Sequence, residues 1–397
     1  WVTLLASTVA LAVVFGAVAG GVFVKVSSKL KEKQNQAQME EIQIPKEHPE
    51  VTETPSPTVT EEAAEEIPVP VVAELTLENY EKLMKEVQLL SKETQKAMVT
   101  ITARNNDVDW FNQAYENSGQ SCGMIIGDNS VELLILTKYK AVRESDGIEV
   151  TFADRKSVGA AIKKYDVTTG FAIISVNLSD LSESTRSAIK NAELGSSFGL
   201  SAGDAVVALG NGENGEFFLE LGCLNEIQKN QSIVDGEYTL LSTNMIKKEG
   251  IEGVLINLKG QIVGVLSEEK TGQSKAYGIT AYGISDLKNL IEHLSNNQDV
   301  TYLGIRGVSV TTEAKIEGIP SGVYVTNVEM DSPAMLGGIQ SGDILQKING
   351  QNVSTMKDVS GILQKLSNKQ NITLEGKRLT KDGYKEVHYE TTLSVLE

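Results

Sequence analysis

GVLINLKGQIVGVLS, residues 253–267, holds two short apolar runs, GVLINL (253–258) and QIVGVLS (261–267), parted by Lys259 and Gly260. The same design recurs upstream as MVTITA (98–103), CGMIIG (122–127), VELLILT (131–137), IEVTFA (148–153), GFAIISV (170–176) and DAVVALG (204–210). Gly, Asn, Asp and Lys turns separate the runs. Many short strands at such spacing predict a β-barrel or sandwich. Just before them Leu77, Tyr80, Leu83, Met84, Val87 and Leu90 recur at three- and four-residue intervals, which predicts a helix.

The chain has 397 residues and a net charge of −17. That length accommodates two domains and an anchor. The charge excludes non-specific nucleic-acid binding, which needs a basic patch to displace phosphate counterions. The only cysteines, Cys122 and Cys223, are too few for a four-ligand zinc site or a disulfide framework. They form one disulfide or stay as two separate buried thiols, the second being preferred because spacing says nothing about proximity. No P-loop or HExxH pattern occurs, and the glycines of GNGENG (210–215) read as a hairpin loop, so no metal site and no cofactor is expected.

Trp1 to Val24 form an uncharged apolar run, long enough as a helix to cross a ~30 Å hydrocarbon core. A single-pass transmembrane anchor is expected over 1–24, with a cleaved signal peptide as the rival. Trp1 suits one interface, and Lys25, Lys29, Lys31 and Lys33 suit the other; the direction of insertion stays open. Residues 25–74 read as a disordered stalk. Pro45, Pro49, Pro55, Pro57, Pro68 and Pro70 mix there with Glu and Thr, a composition that buries too little apolar surface to offset ordering entropy. Two folded domains follow, over 75–298 and 299–397.

Segment order over residues 95–397 resembles the HtrA/Deg family, which joins a trypsin-like protease domain to a PDZ domain. SCGMIIG (121–127), LLILTKYKAV (133–142), IEVTFADRKSVGAAI (148–162), YDVTTGFAIISV (165–176), LGSSFGLSAGDAVVALGN (194–211), LELGCLNEI (219–227), TNMIKKEGIEGVLINLKGQIVGV (243–265) and YGITAYGISDLKNLIEHL (277–294) follow the family in sequence. The resemblance implies a mainly β chain: a trypsin-like double β-barrel, then an α+β PDZ domain.

The chemistry of the family does not follow. A serine protease needs a nucleophile, a base and a carboxylate that orients the base. The family's His position falls on Lys140, its Asp position on Gly170 and its Ser position on Ile251. No histidine occurs between Leu75 and Glu292; the three are His48, His293 and His388. The serine nearest the nucleophile segment is Ser242, a remote partner for Lys140 in a Ser–Lys dyad. Gly250 and Gly253 alone remain of the glycine-rich oxyanion turn. The acids Asp154, Asp166, Glu249 and Glu252 read as solvated surface groups.

TYLGIRGV (301–308) resembles the carboxylate-binding loop of HtrA-type PDZ domains, at Tyr302, Leu303, Gly304 and Ile305. Successive backbone N–H groups around a glycine form a nest for a terminal carboxylate. GVYVTNVEMDSPAMLGGIQSGDILQKINGQNV (322–353) matches the rest of the module, with Asn349-Gly350 as a tight hairpin turn. VSTMKDVSGILQKL (353–366) reads as the groove helix, with Val359 and Ile362 as candidate peptide contacts. Partners implied by the resemblance are peptide or protein C-termini with an apolar last residue, and further copies of the chain or active relatives in a trimer or mixed oligomer. The expected function is a tethered pseudoprotease outside the cytoplasmic membrane of a bacterium; the alternatives are an active envelope endopeptidase and a purely structural protein.

Overall fold

The computed structural model describes residues 39–46, 76–108, 114–212, 216–248, 250–267 and 278–396. The anchor expected over 1–24, most of the stalk and His48 lie outside them. Among the described residues no helix is long and apolar enough to cross a membrane. Helix α1 (Leu77–Gln95) opens on Thr76, whose side chain accepts the Asn79 N–H. Val87 and Leu90 of its second half pack on the protein, while Leu77, 89% exposed, Tyr80 and Leu83 face solvent.

Strands β1 (Met98–Val108), β2 (Ala114–Asp128), β3 (Glu132–Lys138), β4 (Gly147–Thr151), β5 (Ser157–Asp166) and β6 (Phe171–Asn177) close a first barrel in the order β1-β2-β3-β6-β5-β4. A second barrel takes β7 (Ala205–Asn211), β8 (Phe217–Ile233), β9 (Gly236–Ile246), β10 (Glu252–Ile256), β11 (Ile262–Ser267) and β12 (Gly278–Gly283), in the order β10-β11-β12-β9-β8-β7. Helix α2 (Ile284–Ser295) follows.

The unbroken apolar runs have a simple cause. Successive side chains of a strand point to opposite faces, and here both faces are buried. Leu133 and Ile135 of β3 enter the first barrel, whereas Leu134 and Leu136 enter the seam between barrels. On β7, Val206 and Ala208 fill the second barrel, and Val207 and Leu209 meet the seam. Phe171 and Ile173 of β6 and Val254 and Ile256 of β10 complete it, with Leu287, Ile291 and Leu294 of α2 packed alongside. Where β7 meets β10 the backbones nearly touch. A Cβ on Gly210 would sit 1.9 Å from the Glu252 carbonyl, and one on Gly253 would sit 2.1 Å from the Leu209 carbonyl.

Three features differ from expectation. Residues 39–46 are docked rather than free: Ile44 is buried, Ile42 exchanges hydrogen bonds with the Asn296 amide at 2.9 Å, and the Ile44 N–H donates to Glu292. Ile42 and Ile44 alternate as in a half-buried strand, a local signal that the bulk stalk composition masks. Strand β9 was absent from the apolar runs because it carries Thr239, Ser242 and Thr243 inside; Thr243 Oγ1 donates to the Ile279 carbonyl, which satisfies it. Asp166 and Glu252, expected in solvent, are buried. Cys122 and Cys223 are separate thiols.

The C-terminal sheet runs β13 (Ile305–Ser309), β14 (Val323–Val328), β15 (Ile344–Ile348), β17 (Asn371–Thr380), β18 (Gly383–Thr392), with β16 (Gln351–Asn352) paired to β15. Asn349 and Gly350, with φ +46° and +76°, make the tight turn between β15 and β16. Helix α3 (Met356–Leu363) starts with a capping box between Thr355 and Asp358. Beneath the sheet, Asp343 accepts from Arg378 Nε at 2.6 Å and Nη2 at 2.8 Å, from the Tyr389 hydroxyl at 2.7 Å and from the Gln340 N–H at 2.8 Å. Burial alone would raise the Asp343 carboxyl; Arg378 and the other donors outweigh it and hold the group below the usual carboxylate range. Its stabilising effect is therefore present at neutral pH and is lost as pH falls through the native value. Asp343→Asn is expected to lower stability by about 1.5–3 kcal/mol at pH 7 in urea unfolding. The same variant should lose less stability than the wild type between about pH 5 and pH 2.

Candidate functional site

Two sites follow from the fold: the cleft between the barrels and the N–H nest of the C-terminal domain. Lys140 lies in the single 3-10 turn Tyr139–Ala141 that leaves β3, and it is exposed. Gly170, with φ +73°, closes the turn from β5 to β6. The Tyr139 N–H donates to the Gly170 carbonyl at 2.7 Å, so positions 140 and 170 are held side by side. Both line a cavity of about 250 Å³ with Lys138, Phe171, Ser267 and Tyr282. The structure thus unites two of the three expected positions. Ile251 is not among the lining residues; its half-buried side chain packs on the second-barrel core, as do Leu200 and Phe218. The cavity holds Ser267 and not Ser242, which is buried in β9.

Glu252, next to Ile251, is the residue that composition and spacing did not single out. Its carboxylate turns inward across the seam. It accepts from the Ser121 hydroxyl and from the Cys122 N–H at 3.1 Å, and it stands 3.7 Å from Lys138 Nζ. β10 of one barrel is thereby tied to β2 and β3 of the other at the cleft. Asp166, four residues before Gly170, is also committed: it accepts from the Thr168 and Thr169 N–H groups and from the Thr169 hydroxyl at 2.7 Å. Burial raises its carboxyl against those donors. Cys122 is fully enclosed, and burial, with the nearby Glu252 charge, pushes its thiol up to about 12. It is no nucleophile at neutral pH. The cleft therefore presents two lysines above apolar and aromatic walls, with no imidazole among the barrel residues.

In the second site the N–H groups of Leu303, Gly304 and Ile305 converge in a nest, with Gly304 at φ +91°. A side chain there would strike Ser332, whose Cβ would lie 2.2 Å from the added carbon. The nest is occupied by a carboxylate of the same chain. Asp235, at the tip of the β8–β9 hairpin, accepts from the N–H groups of Leu303 at 2.8 Å, Gly304 at 2.9 Å and Ile305 at 2.9 Å. Its own N–H donates to the Ile305 carbonyl at 2.8 Å. Burial pushes its carboxyl up to about 6, against the pull of those three N–H groups. The Asp235-Gly236 pair is a hairpin-turn signal in sequence, but nothing local places it in the nest. Tyr302 lines the small cavity beside the tip. On α3, Val359 and Ile362 are packed in the domain core, contrary to expectation, and Ser360, Leu363 and Gln364 line the hairpin side. Leu363, one turn after Val359, belongs to the core and borders the hairpin, while Ser360 and Gln364 turn toward the hairpin.

Residues 121–265 match the trypsin-like peptidase domain, and residues 324–378 match the PDZ domain. The two domain types in this order are similar to those of the HtrA/Deg family. The chain is 24% identical to serine protease Do-like HtrA of Lactobacillus helveticus, over 66% of this chain and 67% of that protein. It is 26% identical to serine protease HTRA1A of Danio rerio, over 61% and 56%, and 26% identical to serine endoprotease DegS of Haemophilus influenzae, over 58% and 65%. Matches to such relatives span between 46% and 70% of their length. The HtrA-type protease AlgW, solved with a decapeptide, has the same fold, with a TM-score of 0.56 at 19% identity over 78% of this chain and 99% of that one.

Within this HtrA-like frame the Glu252 cluster is structural. Glu252→Ala removes the acceptor of two buried donors and the counter-charge of Lys138; unfolding in urea should show a loss of about 2–4 kcal/mol. Native protein at pH 7.5 treated with iodoacetamide should be left unmodified at Cys122, which becomes reactive only once the chain is unfolded; mass spectrometry of tryptic peptides reads the difference.

Proposed function

We propose that this HtrA-like chain is a pseudoprotease, tethered to a membrane by residues 1–24, that binds peptide or protein C-termini with an apolar last residue through its PDZ domain. It serves as a scaffold, chaperone or regulator of protein quality control in the cell envelope, with its folded domains outside the cytoplasmic membrane. The observation that carries this is the stock of reactive groups in the barrels. By the resemblance, the family's base, orienting carboxylate and nucleophile fall on Lys140, Gly170 and Ile251, and no histidine lies between Leu75 and Glu292. Glu252 and Asp166, the nearby acids, are engaged in hydrogen bonds that hold strands and a turn. Fold alone does not fix activity. Peptide binding is supported by the intact nest and by the solved relative that carries a decapeptide. Exposed Leu77, Tyr80 and Leu83 on α1 offer a surface for a trimer or for a mixed oligomer with active relatives.

A second reading is an active endopeptidase, as the relatives' names describe those proteins. One feature favours it: Ser267 shares the cleft cavity with Lys138 and Lys140, the elements of a serine–lysine pair. Casein hydrolysis and fluorophosphonate labelling of the full chain, beside an active HtrA-type protease, separate the two. No cleavage and no label are expected. Cleavage abolished by Ser267→Ala or Lys140→Ala would establish the endopeptidase instead.

A further inference from the structure

The occupant of the PDZ nest is the most informative contact between the domains. A peptide C-terminus in such a site needs N–H donors for its carboxylate and main-chain pairing along the adjacent strand. The β8–β9 hairpin supplies both halves of that pattern. Asp235 uses its side-chain carboxylate where a ligand would use its terminal one, and it takes all three consecutive N–H groups of Leu303, Gly304 and Ile305. Its N–H pairs with the Ile305 carbonyl, and Ser232 Oγ accepts the Gly307 N–H at 3.3 Å, two residues further into β13. The room left beside Ile233, Val234 and Leu363 is about 40 Å³, enough for a few waters and too little for a peptide side chain.

We propose that the β8–β9 hairpin is an internal ligand of the PDZ groove, with Asp235 as a mimic of a peptide terminus, and that C-terminal peptides bind by displacing it. Two carboxylates cannot share one set of donors, because each would lose hydrogen bonds and repel the other. The hairpin belongs to the second barrel, so its displacement moves the whole PDZ domain away from that barrel. Val300 packs against the barrel core at the same junction, and polar contacts must break as well. Lys357 of α3 pairs with Asp286 of α2 at 2.8 Å and lies 5.1 Å from the centre of the Phe198 ring. Lys164 pairs with Asp299 at the domain junction. The hairpin also reaches the cleft: Ile233 and Tyr238 line both the cleft cavity and the space beside Asp235. Capture of a peptide by the PDZ domain therefore releases the segment that walls the former catalytic cleft.

A tethered ligand competes at a high effective concentration, so the apparent affinity of a free peptide falls with the fraction of open groove. The inference rests on the proposed peptide binding only for its competitor; occupancy of the nest is read separately. Full chain in detergent, as wild type, Asp235→Ala and Asp235→Asn, is titrated with fluorescein-labelled hexapeptides ending in Val, Leu, Ile or Phe, each as free acid and as amide. Both variants are expected to bind free-acid peptides about tenfold or more tightly than wild type, with the amides weak throughout. Equal affinities in wild type and variants would overturn the proposal. In parallel, hydrogen exchange at the Leu303, Gly304 and Ile305 amides is followed without peptide. Slow exchange in wild type that quickens about tenfold or more in Asp235→Ala supports internal occupancy, even where no peptide binds and the peptide-binding function fails. Exchange that is equal in the two proteins, with the barrel-core amides still protected, sinks it.

Discussion

Leu134 and Leu136 of β3, Ile173 of β6, Val207 and Leu209 of β7 and Val254 and Ile256 of β10 meet in one apolar seam between the barrels. Each belongs to a strand whose alternate residues fill a barrel interior, so neither barrel can bury both faces without the other. Burial of side chains of this size contributes roughly 1.5–3 kcal/mol each. Lys138 of β3, Phe171 of β6, Ser267 of β11 and Tyr282 of β12 meet beside that seam and line the cleft. The seam also gives α2 a surface to lie on, through Leu287, Ile291 and Leu294. From α2 the arrangement passes outward: Glu292 and Asn296 hold residues 42–46, and Asp286 holds Lys357 of the PDZ domain.

At the seam beside the cleft, buried acids cross-link the elements that surround them. The close approach of Gly210 and Gly253 brings β10 against β7. Glu252 then reaches across to Ser121, Cys122 and Lys138. A charge is tolerated in this enclosed position because a hydroxyl, a backbone N–H and an ammonium all point to it. Asp166 follows the same rule on the other wall, with its donors drawn from its own turn.

Much of the architecture was legible in local pattern. The apolar runs became strands, most of them with both faces buried, and Asn349-Gly350 became a turn because those residues tolerate positive φ. Strand β9 was hidden because Thr239, Ser242 and Thr243 break its apolar run, although each is buried. The apolar character of Val359 and Ile362 does not tell groove from core, since core-facing and groove-facing residues of one helix share it; packing shows them in the core. Ile42 and Ile44 were lost in the surrounding stalk composition, and docking on α2 reveals them.

By itself the sequence determined the succession of strands, the two folded units, the stock of reactive groups and the absence of any histidine from Leu75 to Glu292. These are matters of local periodicity and of inventory, and no arrangement of the chain alters an inventory. Tertiary structure decided which acids leave water, which serine shares the cleft with the lysines and what fills the PDZ nest. Asp235 lies 68 to 70 positions from the amides that hold it, and Glu252 lies 130 positions from Cys122. Contacts at such separation depend on the closure and docking of whole barrels, which leave no short-range periodicity in the chain.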